Sequence, residues 1–181
     1  QNNQQAQFNL GLIYYEGKYI TRDINKSIHY LTLASNQNNQ KAQFQLGFIY
    51  YEGKYVTKDI NKSIHYLTLA SNQNHSNAQF TLGLIYSIDI ASERNIYKGI
   101  DYFIQSSKNG HIGAIFAIGY FYNEGKYVEK DIKKSIHHYK EASSFNNQFA
   151  KNNLGIIYKH GYGDEIPQNI EYAIEYFDEA I

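Results

Sequence analysis

The chain has 181 residues, with 17 Lys and Arg against 17 Asp and Glu, and its formal net charge is therefore zero. This balance argues against a nucleic-acid partner, which needs a basic face. The absence of Cys excludes disulfides, thiolate metal sites and cysteine nucleophiles, and no apolar stretch is long enough to span a membrane. Because Met is absent even from position 1, we expect the chain to be a fragment of a longer protein.

The first predicted element is a helix that ends near Gly17. Ala6, Leu10 and Tyr14 follow the spacing of one helix face. Glycine is common in the left-handed conformation just past a helix end. The residues after Gly17 therefore form a short loop.

The second predicted element is a helix that follows Asp23. Aspartate is a good N-cap because its carboxylate accepts hydrogen bonds from the free N–H groups of the first turn. Ile24, Ile28 and Leu31 lie on one side of this helix, and the polar run 36–39 closes the unit. The unit is thus predicted to be two antiparallel helices of roughly 13 residues each.

This unit recurs with a period of 36 residues. An alanine, an aliphatic residue, a glycine and a tyrosine keep the same step in five units. The glycine column is Gly11, Gly47, Gly83, Gly119 and Gly155. The predicted repeats are about 1–36, 37–72, 73–108, 109–144 and 145–181.

The glycine column predicts a close approach between the two helices of a unit. A mid-helix glycine costs about 1 kcal/mol relative to alanine, so its recurrence implies a compensating contact. We expect that contact at Ser27 or Ala34 of the second helix. Because no unit can bury its apolar face alone, we predict an all-α fold in which the repeats stack into a right-handed superhelical solenoid.

The segment from Ala6 to Ile28 resembles the Sel1-like repeat, a relative of the tetratricopeptide repeat, with the pattern A-x-x-x-L-G-x-x-Y-x-x-G-x-G-V-x-x-D-x-x-K-A. The resemblance covers essentially the whole chain, and its departures are local. In unit three, Asp89 replaces the first loop glycine and Asn95 stands where other units have Asp. Unit five has two extra loop residues near Pro167.

The resemblance implies a non-catalytic scaffold or adaptor that binds a protein or peptide on its concave face, or that fills a fixed place in a larger complex or longer array. The alternative is a regulatory repeat segment of a larger enzyme, such as a protein kinase, whose catalytic domain lies outside this chain. A cytoplasmic location is expected, with the ER lumen as the alternative. The abundance of Asn, Lys and Ile is typical of an AT-rich genome, which favours a protozoan source.

The sequence predicts no enzyme, no cofactor and no bound metal. His29, His65 and His137 share one column, but no metal-binding spacing such as H-x-x-x-H occurs. Glu16 and Glu52 belong to a carboxylate column whose spacing does not suit catalytic pairing, and we expect them to cap helices or contact loops. No catalytic residue is therefore predicted.

The candidate partner-binding residues lie on the first helices, in columns that the core does not require. By analogy with tetratricopeptide repeats, these helices line the concave face. The candidates are Asn9, Gln45, Thr81, Ala117 and Asn153, then Leu12, Phe48, Leu84, Tyr120 and Ile156, with Tyr15, Tyr51 and Asn123 beside them. The second of these columns is either core between units or an exposed apolar stripe that anchors a partner.

The two ends of the array carry apolar residues. Phe8 and Leu12 open it, and Phe177 and Ile181 close it. Solenoids normally end in repeats with a polar outer face. We therefore expect both ends to be covered by more repeats, another domain or a partner chain.

Overall fold

The chain folds into antiparallel helix pairs that follow one another along the sequence. The computed structural model describes residues 3–89 and 93–181. The helices within these ranges are α1 (Gln4–Glu16), α2 (Ile24–Asn36), α3 (Gln40–Glu52), α4 (Ile60–Ser71), α5 (Ser76–Leu84), α6 (Glu93–Lys108), α7 (Ile112–Glu124), α8 (Ile132–Ser144), α9 (Gln148–His160) and α10 (Ile170–Glu179). The predicted all-α solenoid of helix pairs is confirmed, and the extended pairing in the described part of the chain is one isolated bridge between Tyr162 and Ile166.

The helix ends follow from local chemistry. Gly17 ends α1 in the left-handed region at φ 63°, and its N–H donates to the carbonyl of Ile13. The carboxylate of Asp23 caps α2 by accepting from the N–H of Lys26 at 2.9 Å. Both predicted caps are therefore confirmed.

The predicted close approach at the helical glycines is also confirmed. Ser27 Oγ donates to the carbonyl of Gly11 at 2.8 Å. A Cβ added to Gly11 would lie only 2.6 Å from Leu31 Cγ, so Leu31 rather than Ala34 is the closest neighbour. The residues that face the other four glycines of this column are Leu67, Phe103, Tyr139 and Phe177.

The hydrophobic cores lie between repeats. Leu31 and Ala34 of α2 pack with Ala42, Leu46 and Ile49 of α3, and these five residues are almost completely buried. Similar clusters join α4 to α5, α6 to α7, and α8 to α9. Each second helix therefore shares its core with the first helix of the next repeat, as expected for units that cannot bury their faces alone.

Repeat three departs from the others as its sequence indicates. The π-helical segment Ile85–Asp89 continues α5 where other repeats turn at a glycine. Asn95 does not precede α6, since this helix already begins at Glu93. The loss of the glycine thus changes the end of the first helix, and the second helix is 16 residues long.

The end faces expose side chains that the inner repeats bury. Leu10 and Ile13 are 39% and 40% exposed, whereas Leu46 and Ile49 are 0% and 3% exposed at the same positions one repeat later. At the other end, Phe177 is not an outward residue, because it packs inside repeat five against Gly155. The exposed large hydrophobic residues there include Ile170, Tyr172, Ile174 and Ile181.

Candidate functional site

An apolar groove of about 500 Å³ lies between the first helices of repeats three and four. One wall comes from Phe80 and Leu84 of α5, and the other from Phe116 and Tyr120 of α7. The remaining lining residues are Ser87, Ile88, Ile96, Phe103, Gly113, Ala117, Phe121 and Tyr127. Among the residues whose side chains the structure describes, none that lines the groove is charged, so the groove suits an apolar group.

Small residues on α7 create this space. Gly113 and Ala117 lie four residues apart and face the groove on one side of the helix. The corresponding residues of repeat two are the long side chains Lys41 and Gln45. Opposite them, the ring of Phe80 approaches the position that a Cβ of Gly113 would occupy to 3.2 Å. The groove therefore results from a local exchange of long side chains for small ones.

A smaller, more polar cavity of about 210 Å³ lies between repeats four and five. Tyr120 lines this cavity as well as the apolar groove. Asn123, Glu124 and Asn153 provide its polar groups, and the Asn123 amide donates to Glu124 Oε1 at 3.3 Å. The first-helix face thus offers an apolar and a polar cavity side by side.

Six of the sequence-predicted binding residues line these two cavities. They are Leu84, Ala117, Tyr120, Asn123, Asn153 and Ile156. The structure removes Thr81 from the available surface, because this residue is 6% exposed and its hydroxyl donates to the carbonyl of Asn77 within α5.

Tyr15 already has a partner within the array. Its hydroxyl donates to Glu52 Oε2 of the next repeat at 3.1 Å. Burial, together with the nearby carboxylate of Glu52, raises the pKa of Tyr15 to about 12. Tyr15 therefore links two repeats, and Glu52 makes a contact between repeats.

The remaining predicted residues lie outside the two cavities. Asn9 is exposed and accepts a hydrogen bond from the Gln5 amide on its own helix. Gln45 and Tyr51 are half-buried, and Lys58 lies over the Tyr51 ring at 4.9 Å.

The apolar column that begins at Leu12 is buried to different extents in different repeats. Leu12, Phe48 and Leu84 are half-buried, and Phe48 lies against the ring of Phe44 with centroids 5.8 Å apart. Tyr120 and Ile156 are 47% and 42% exposed. The column is therefore partly core in the first three repeats and a surface in the last two.

Sequence reasoning missed two histidines that act as helix caps. His75 precedes α5 and His111 precedes α7, and the Nδ1 atom of each accepts a backbone N–H of the first turn. The signal was present in the sequence, because other repeats have asparagine at this position, as at Asn39 and Asn147.

No group of three His, Asp or Glu side chains in residues 3–89 and 93–181 is arranged to hold a metal ion. None of the helices in these ranges has the length and hydrophobicity that a bilayer crossing demands. Further cavities of about 250, 260 and 380 Å³ lie elsewhere on the described residues. None of them is lined by a sequence-predicted binding residue, whereas the two cavities of the first-helix face are.

Stacked antiparallel helix pairs with cores between them define a helical-repeat solenoid. The chain belongs to the Sel1 repeat family, whose pattern it matches over residues 4–39, 40–75, 76–111, 112–144 and 148–181. Sel1 repeat proteins generally mediate protein–protein interactions.

Solved structures agree with the assignment to the Sel1 repeat family. A Sel1 repeat protein from Oxalobacter formigenes is 29% identical with a TM-score of 0.86, and the match covers 99% of this chain and 73% of that protein. Cysteine rich protein B of Helicobacter pylori is 26% identical with a TM-score of 0.50, over 71% of this chain and 90% of that one.

A third structure shows the fold alone. It is c5321, a protective antigen of uropathogenic Escherichia coli with an SLR fold, which is 23% identical with a TM-score of 0.55 over 99% of this chain and 46% of that one. No curated protein matches the sequence significantly.

Proposed function

We propose that this chain is a non-catalytic scaffold that binds a protein or peptide along its first-helix face. The observation that carries the proposal is the apolar groove between α5 and α7, which exposes aromatic and aliphatic side chains around a cavity of about 500 Å³. Burial of one large apolar side chain contributes about 1.5–3 kcal/mol. A partner that inserts such a side chain would gain this free energy without any charged contact.

The neighbouring, more polar cavity would orient the bound peptide. A segment that places its anchor in the groove next to Tyr120 brings its following residues to Asn123, Glu124 and Asn153. Amide and carboxylate groups there can accept hydrogen bonds from the partner's backbone or side chains. The fitting ligand is therefore a peptide segment with a large apolar residue followed by hydrogen-bond donors. The same surface would serve an exchangeable partner or a fixed neighbour in a larger complex.

The groove can be filled from Ala117, which is partly buried at the edge of the core cluster of α6 and α7. Ala117→Leu adds bulk to the groove wall. Gln45→Leu places leucine at the equivalent position of repeat two, where a long side chain already stands, and serves as the control for introducing a leucine on this face. The probes are the neutral apolar dye Nile red and peptides selected from a random displayed library against the immobilised chain. We expect Ala117→Leu to weaken binding about 10- to 100-fold, as loss of one buried apolar anchor predicts.

Gln45→Leu should bind the probes as the parent does, and circular dichroism should show that both variants remain helical. Equal affinity of the parent and Ala117→Leu for dye and peptides would overturn the assignment of the groove.

A further inference from the structure

Histidine replaces asparagine as the N-cap of two first helices that flank the groove. The N–H of Ala78 donates to His75 Nδ1 at 3.3 Å, and the N–H of Ala114 donates to His111 Nδ1 at 3.2 Å. In repeat two, Asn39 Oδ1 accepts the equivalent N–H at 3.0 Å. An amide oxygen accepts at any pH, whereas Nδ1 accepts only in the neutral imidazole.

Both histidine rings are fixed by stacking. The ring of His75 lies on Phe44 with centroids 4.7 Å apart and an interplanar angle of 19°. The ring of His111 lies on Phe80 at 4.2 Å and 18°. A protonated ring can keep this contact by a half turn about the Cβ–Cγ bond, but that turn places Cδ2 against the helix N–H, so the protonated ring offers no acceptor in either orientation. Phe80 is also a wall of the groove, so the cap of α7 and the groove share a side chain.

We propose that His75 and His111 form an acid-sensitive device that loosens the first turns of α5 and α7, and with them the groove, when either ring is protonated. Protonation would place an N–H donor against a backbone N–H donor. It would also add positive charge at the positive end of a helix dipole. The predicted effect of acid on the groove rests on the proposed binding function, whereas its predicted effect on the helix caps does not.

The surroundings of both rings favour the neutral form. Burial lowers the pKa of His75 from its usual value of 6.5, and the charge of Lys41 on α3, which faces this ring, acts in the same direction. Burial also lowers the pKa of His111, against a contact with its own backbone. Within the described residues, the ring of Phe80 packs on His111. No charged group among these residues contributes to the lowering of the His111 pKa.

The sign of the pH dependence follows from these directions. Because the folded-state pKa values lie below 6.5, the unfolded state binds more protons once the pH falls below that value. The stabilisation is therefore fully present above about pH 6.5 and is lost as the pH falls through the folded-state pKa values. His138 has a pKa lowered by burial and by His137, so it contributes in the same direction and must be held constant.

The matched variant is His75→Asn combined with His111→Asn, which installs the cap that the chain itself uses at Asn39 and Asn147 and leaves His138 in place. Amide hydrogen exchange, corrected for the intrinsic effect of pH, is measured at Ala78 and Ala114 between pH 7.5 and pH 5. The first turns of α3 and α9 serve as internal references.

In the parent we expect local opening at Ala78 and Ala114 to increase roughly fivefold in acid relative to the references, the size of a typical N-cap effect. The variant should show no such increase. The same pH dependence in parent and variant would overturn the device.

A second readout separates the caps from the groove. Nile red binding that weakens in acid for the parent, but not for the variant, supports the coupling between the caps and the groove. Binding that is independent of pH in both proteins overturns that coupling. If the dye does not bind at pH 7.5 either, the groove assignment fails, and the exchange data still decide whether the caps respond to acid.

Discussion

Gly47→Ala tests whether the helical glycines allow the close packing of the two helices in a repeat. The added Cβ would lie 2.6 Å from Leu67 Cγ and 3.1 Å from the Leu67 backbone nitrogen. Leu67 is completely buried, so it has little room to move. The better helix propensity of alanine should stabilise the protein by about 1 kcal/mol, whereas overpacking typically costs about 1–3 kcal/mol. We expect a net loss of up to about 2 kcal/mol.

The assay is urea unfolding followed by circular dichroism at 222 nm, in two backgrounds. Leu67→Ala alone should cost about 2–5 kcal/mol, and it removes the side chain that Gly47→Ala would meet. In that background Gly47→Ala should therefore be less destabilising than in the parent, with the helix propensity of alanine set against the remaining 3.1 Å approach to the backbone nitrogen of residue 67. Hydrogen exchange in α3 and α4 localises the effect, because repeat arrays need not unfold in one step.

The decisive result is the difference between the effects of Gly47→Ala with and without the Leu67 side chain. If Gly47→Ala stabilises the parent, or has the same effect with and without Leu67, the glycine is not required by contact with that side chain.

Two further predictions concern the last repeat. Lys151→Met should loosen α10, because Lys151 is 8% exposed and its Nζ donates to the carbonyl of Glu179 at 3.0 Å and to Asn146 Oδ1 at 2.7 Å. Loss of these bonds should cost about 1–3 kcal/mol, and unchanged hydrogen exchange in α10 would contradict this role. Residues 1–181 should associate end to end with rising concentration, and Ile174→Glu should suppress this, since Ile174 is 55% exposed and Phe177 is internal. Light scattering measures the mass, and a monomer at every concentration would show that the end faces do not associate.

Features that depend on neighbours along the chain were predictable. Gly17 ends α1 and Asp23 caps α2 because the groups involved lie within a few residues of each other. The recurrence of Gly11 also predicted a contact between the helices of one repeat, although it named Ala34 as a possible partner and not Leu31. The repeat architecture of the fold thus follows from period and local chemistry.

Some contacts between distant residues could not be predicted in this way. Gln73 Nε2 donates to Gln43 Oε1 at 2.7 Å across 30 residues, and Asn109 makes the same contact with Gln79 at 2.8 Å. Nothing in the local sequence distinguishes these amides from the many exposed ones, because the partner is decided by how the chain returns after a helix pair.

The sequence by itself determined the class of fold and the order of the helices, and it predicted the face on which we propose that a partner binds. Only the tertiary structure decided which residues of that face are available. Thr81 and Ala117 occupy the same column, yet Thr81 is buried and Ala117 lines the groove opposite Phe80. The physical reason is that a side chain's exposure depends on the size of the residues that pack against it from neighbouring helices, which the period of its own helix does not contain.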